Sequence, residues 1–135
     1  MTFSKEAAID FDEYQTARVE MTLFGEAAFW GEAEAVHYLV QELQQTSGFR
    51  WVTDSANEST DLVLQVNLLL RSEVTTDEDG NEDTQFDGDA NFTAVDRSGD
   101  RIDGGSVSDS SLTARETMED TLDEVAHHYL APFRL

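Results

Sequence analysis

The stretch 61–76, "DLVLQVNLLLRSEVTT", constrains the fold more than any other part of the chain. Leu62, Leu64, Val66, Leu68 and Leu70 fall on alternate positions and form one continuous apolar face, because successive side chains of a strand point to opposite sides. Gln65, Asn67 and Arg71 mark the opposite face, and Val63 and Leu69 make it partly covered. A run this long, apolar on one side and half-apolar on the other, reads as a central strand of a sheet. The remainder of the chain must supply its neighbours and a cover for its apolar side.

Residues 14–24 also alternate, with Ala17, Val19, Met21 and Leu23 on one side and Arg18, Glu20 and Thr22 on the other. The period then changes. Ala33, Val36, Val40 and Leu43 recur at helical spacing with Leu39 beside them, Gly48 follows as a C′ residue, and Gly31 places "EAAFW" as a lead-in turn before the helix. Phe29 and Trp30 read as core, with a partly exposed aromatic pair as the other reading. Residues 49–54 form a short second strand. After the long strand, 84–97 resumes as a strand, "SGD" at 98–100 is a tight turn, and 101–110 is a further strand with a bulge expected at Gly104-Gly105. Thr113 with Glu116 spells a capping box for a last helix, with Met118, Leu122, Val125 and Tyr129 on its apolar face and Pro132 at its end.

The order β-α-β-β-β-β-α predicts an α+β fold: a two-layer sandwich with a mixed sheet and two helices packed on one face. The first crossover makes its two strands parallel, and the later strands form an antiparallel meander. No repeat or linker interrupts residues 1–135, which therefore read as a single domain, with 1–12 as a flexible lead-in.

Composition decides the environment. The chain carries 29 Asp+Glu against 8 Lys+Arg, a formal charge of −21, and the acids run through every segment. Self-repulsion at this charge weakens a compact state in dilute buffer, and concentrated salt screens it. This is the signature of a halophile's protein; an acidic decoy for a basic partner is the other reading. With no basic patch, nucleic acid and direct binding to anionic membrane are excluded as expectations. Cysteine is absent, so no disulfide, thiolate nucleophile or cysteine zinc site is possible. "MTFSKEAAID" lacks the apolar middle of a signal peptide. The expected location is periplasmic or outer-membrane-anchored if an upstream signal has been removed, and cytoplasmic otherwise.

Three stretches carry a family resemblance. "IDFDEYQTARVEMTLF" gives an Asp12, Tyr14 lead into a first strand, "ESTDLVLQVNLLLRSEV" a small-Asp-aliphatic strand start, and "NFTAVDRSGDRIDGGSVSD" a hairpin. Over residues 9–131 the chain resembles the α+β domains of small bacterial envelope lipoproteins, of the TolB amino-terminal, CsgG and LpoB kind. The resemblance implies a non-enzymatic domain that works through protein contacts. It implies anchoring by a lipidated cysteine, which this sequence does not contain.

No residue pattern announces chemistry. From Asp77, the loop "DEDGNE" places oxygens at calcium-loop positions 1, 3 and 5, but Glu82 stands where Gly is needed and Gly88 where a bidentate Glu is needed. Strands flank it where helices should, so it reads as a hairpin tip. His37 lies in the first helix. His127 and His128 are neighbours on the last and point roughly 100° apart, unsuited to one metal. Seryl, P-loop and dinucleotide motifs are absent. We therefore expect no catalytic, cofactor-binding or specific metal residues and no cofactor. A protein partner or self-association is the expected interaction. The rival reading is a cytoplasmic small-ligand binder or enzyme whose pocket uses Phe29, Trp30 and Trp51.

Overall fold

A computed structural model describes residues 9–129, apart from the side chain of Phe29. The strands β1 (Thr16–Gly25), β2 (Trp51–Thr53), β3 (Leu62–Thr76), β4 (Glu82–Asp96) and β5 (Arg101–Ser111) form one mixed sheet in the order β2-β1-β3-β4-β5. β1 is parallel to both β2 and β3, and β3-β4-β5 is the antiparallel meander. Helices α1 (Glu32–Thr46) and α2 (Ala114–His128) cover one face. The expected α+β sandwich, its element order and the central place of β3 are all observed.

The apolar alternation of β3 is what seats the core. Leu62, Leu64, Val66, Leu68 and Leu70 are buried beside Ala17, Val19 and Met21 of β1 and Ala90, Phe92 and Ala94 of β4. From above, α1 contributes Ala35, Val36, Leu39 and Leu43, and α2 contributes Met118, Leu122, Val125 and Ala126. The buried stripe of α1 is centred on Ala35 and Leu39; Ala33 is exposed and Val40 half-buried. Tyr38 of α1 donates a 2.9 Å hydrogen bond to the Asp123 carboxylate of α2, tying the two helices together.

Local details follow, and in places modify, the sequence reading. "EAAFW" folds as a 3-10 helix (Glu26–Trp30) before α1. Trp30 is buried against Tyr38. The α1 terminus is closed by Ser47, whose N–H and hydroxyl both donate to the Leu43 carbonyl, with Gly48 following it. The capping box of α2 is half made: Thr113 Oγ1 accepts from the Glu116 N–H, while the Thr113 N–H donates to Ser111 Oγ instead. α2 ends at His128; Pro132, expected to end it, lies outside the described residues.

The bulge of β5 sits two residues earlier than expected. Asp103 pairs with Ala94 and Arg101 with Val95, so Ile102 is the extra residue. Gly104 and Gly105 stay in register, and the Phe92 ring lies against Gly105 across the strands. Residues 1–8 of the expected lead-in lie outside the described residues. Ile9 is buried, and Phe11 packs edge-on against Phe49 at 5.0 Å.

The two hairpin tips are built alike. In 77–81 the Asp77 N–H donates to the Asn81 carbonyl, the Gly80 N–H donates to the Asp77 carbonyl, and Asp77 Oδ1 accepts from the N–H groups of Asp79 and Asn81. In 96–100, Asp96, Gly99 and Asp100 repeat every one of these bonds, with Ser98 in the place of Asp79. Gly80 and Gly99 adopt φ of 83° and 86°, the left-handed position that closes a three-residue hairpin loop.

Candidate interaction surface

The face of the sheet opposite the helices has no covering element among the described residues. Register places its side chains in rows that cross β1, β3, β4 and β5. The first row is Arg18, Val63, Val95 and Arg101. The second is Glu20, Gln65, Thr93 and Gly104. The third is Thr22, Asn67, Asn91 and Ser106, and the fourth Phe24, Leu69, Asp89 and Ser108. Alternation decides this arrangement, since each residue here is the neighbour of a core residue.

The charge of these rows departs from that of the chain. The acids of the rows are Glu20 and Asp89. Arg18 reaches Glu20 at 2.7 Å, and Arg71, one position beyond the fourth row, reaches Asp89 at 2.9 Å. Arg101 makes no ion pair among the described residues, and its guanidinium lies beside Gly104. In a chain of formal charge −21, this face is balanced. Phe24 and Trp51, 48% and 40% exposed, both project on this side, at opposite ends of the sheet. Phe24, Asn67, Leu69, Asp89 and Asn91 line a shallow depression of about 480 Å³.

The helical side is the reverse. Burial raises the carboxyl pKa values of Asp120 and Glu124, and the charge of Asp109 raises both further. Burial likewise raises Glu42, with the charges of Asp123 and Glu119 adding to it. The ionised groups there repel one another.

Beside the sheet, β2 pairs with β1 only at Thr16, Ala17 and Arg18, so the outer edge of β1 from Val19 onward is free of strand partners among the described residues. A second cleft of about 740 Å³ lies along that edge, between β1 and the start of α1, lined in part by Glu20, Glu32 and Asp54.

The side chains singled out for chemistry are used locally. Asp77 accepts from its own loop, and the Asn81 N–H foremost holds its carboxyl below the ordinary range. His127 is exposed. His128 is half-buried, with Nε2 2.8 Å from the Asp103 carboxylate and its ring edge-on to Phe92 and Tyr129. The Tyr129 hydroxyl is buried without a hydrogen-bond partner among the described residues; burial first, then Asp103, raises its pKa. This cluster pins the end of α2 to β5. Sequence reasoning missed Asp103, because nothing local marks an acid whose partner lies 25 residues away.

Asp61, the acid of the small-Asp-aliphatic stretch, has a definite task. Its carboxylate accepts from the N–H groups of Gln15 and Thr16 at 2.9 and 3.2 Å and pairs with Arg97 at 3.3 Å. Burial acts to raise its pKa, but these bonds and the Arg97 charge outweigh it and the pKa is lowered. Of the aromatic residues in the rival reading, Trp30 is buried against Tyr38 on the helical side and Trp51 is exposed on the open face. The side chain of Phe29 lies outside what the structure describes.

No protein-family model matches the chain, and no curated protein sequence matches it. Solved structures do share its fold. The PelC dodecamer from Paraburkholderia phytofirmans aligns with a TM-score of 0.69 at 13% identity, covering 96% of each chain. A minor lipoprotein from Acinetobacter baumannii aligns at 0.52 and 14% identity, over 84% of this chain and 87% of that one. Lipoprotein GNA1162 from Neisseria meningitidis aligns at 0.50 and 14% identity, over 83% and 95%. The fold is therefore one found in small bacterial lipoproteins and in PelC.

Proposed function

We propose that the chain is a non-catalytic protein-interaction and assembly domain of an envelope lipoprotein from a halophile, of the TolB amino-terminal, CsgG and LpoB kind. The observation that carries this reading is the open sheet face, broad, charge-balanced and bearing exposed Phe24 and Trp51 on a molecule otherwise coated in acid. Its structural neighbours support the envelope assignment, and the dodecameric state of PelC supports self-association. The non-catalytic part is supported by the use of His128, Asp103 and Asp77 in local packing and turn bonds.

Chemical crosslinking and affinity capture in native-salt extract test the reading. The expected result is a discrete assembly or a stoichiometric protein partner. A chain that stays monomeric at every salt concentration and retains no protein refutes it.

A further inference from the structure

The strand rows described above have a property that a merely solvated face does not need. The first row is basic and apolar: Arg18, Val63, Val95, Arg101. The fourth is apolar and acidic: Phe24, Leu69, Asp89, Ser108. The two middle rows are amide and hydroxyl side chains apart from Gly104 and Glu20, and Arg18 already pairs Glu20. We infer that the open face is closed by a second copy of this chain, packed sheet to sheet about a twofold axis that runs across the strands. The inference rests on the interaction-domain reading and gives it a partner and a surface.

Such an axis keeps each strand over its own counterpart and reverses its direction, so the first row of one copy lies over the fourth row of the other. Val63 then meets Leu69 of the second copy. Arg18 meets the ring of Phe24, an arrangement that attracts a guanidinium. Arg101 comes beside Asp89, the acid of the adjoining column. In the middle, Gln65 faces Asn67 and Thr93 faces Asn91, amide against amide and hydroxyl against amide, so donors and acceptors removed from water find partners. An axis along the strands would instead keep like row on like row and reverse the columns, setting Arg18 on Arg101. The patch is four strands wide, roughly 19 Å at about 4.8 Å each, and seven residues long, roughly 23 Å at about 3.3 Å each. That footprint is about 440 Å² per copy, or about 900 Å² in all, the size of a weak or transient association. Aligned sheets pack in this way about 10 Å apart. A different protein remains an outcome of the test, but the face offers no net charge to steer one.

The chain lacks cysteine, so single-cysteine variants report on one place each. In molar KCl the wild-type chain is expected to sediment at twice its 15.1 kDa mass. Asn67→Glu with Asn91→Glu is expected to sediment at the single-chain mass with an unchanged far-UV spectrum and a melting temperature lowered by the lost association and the new like-charge pair. Asn67→Cys is expected to be joined into a dimer by a short bis-maleimide, and Glu124→Cys on the helical side is not. An assembly that survives Asn67→Glu with Asn91→Glu, or crosslinking as ready at Glu124→Cys as at Asn67→Cys, overturns this surface and leaves the interaction-domain reading standing. A monomeric wild type that captures a different protein overturns the second-copy inference alone. A monomeric wild type that captures nothing overturns both.

Discussion

The helical side and the open side of the sheet arise from the same strands, one residue out of step, and they treat acid in opposite ways. On the helical side Glu116, Glu119, Asp120, Asp123 and Glu124 crowd the outer surface of α2, and burial together with their neighbours raises the pKa values of Asp120 and Glu124. On the open side Glu20 and Asp89 each hold an arginine, and the centre is amide and hydroxyl. A surface that is stable only when salt screens it suits contact with brine. A balanced surface does not need that screening, and it suits contact with protein. The proposed interface lies where charge has been withheld, which a count over the whole chain hides.

Substitutions can break this comparison, beginning with the layer between the two surfaces. Leu122→Ala, under α2, removes a fully buried side chain and is expected to cost about 3 kcal/mol by denaturant unfolding in molar KCl. Gly88→Val is expected to cost about 2 kcal/mol, because even a Cβ at Gly88 meets the Thr121 hydroxyl of α2. Asp61→Ala, which frees the Gln15 and Thr16 N–H groups, is expected to cost about 1.5 kcal/mol after discounting for its partial exposure. A substitution on the open face, Asn67→Ser, is expected to stay within about 0.5 kcal/mol for the single chain. A large loss there would mean that the face belongs to the core of the monomer.

Salt and pH sharpen the same contrast. In low-millimolar salt, Asp120→Asn with Glu124→Gln is expected to raise stability slightly, by on the order of 0.3 kcal/mol, and by less in molar salt. Wild-type stability is expected to fall steeply as salt is withdrawn; a flat salt series would refute the halophilic reading. Asp120, Glu124 and Glu42 have folded pKa values above their unfolded ones, so protonating them favours the folded state. At low salt, stability should therefore rise as pH falls from neutral into their raised range. Asp61 and Asp77 have lowered values, so their stabilisation is present above the unfolded carboxyl range and is lost as pH falls through their folded values. A melting series that climbs and then drops on acidification is the expected record.

Much of the fold was legible because it rests on period. The alternation of 61–76 gave the central strand and its buried face, and Met118, Leu122, Val125 and Tyr129 are the core stripe that their spacing predicted. Features that depend on contact between distant segments were not legible. The bulge falls at Ile102 rather than at Gly104-Gly105, and Gly105 instead leaves room for the Phe92 ring across the strands. The His128–Asp103 pair joins a helix end to a strand. The balance of the open face was invisible because its acids and arginines, such as Arg71 and Asp89, become neighbours only once β3 and β4 are in register.

The two matched hairpin tips also bear on the order in which the sheet is assembled. Each joins strands adjacent in sequence, so β3, β4 and β5 can find one another by closing loops of a few residues. β1 must join β3 across a span such as Thr16 to Asp61, 45 residues. Closing the long span costs more chain entropy and slows the search. The meander is thus expected to form the folding nucleus, with φ-values high at Val95 and low at Val19, and β1 to dock onto it last, with β2 on its outer edge. The strand that leaves an edge open in the finished molecule would then also be the one whose arrival completes it.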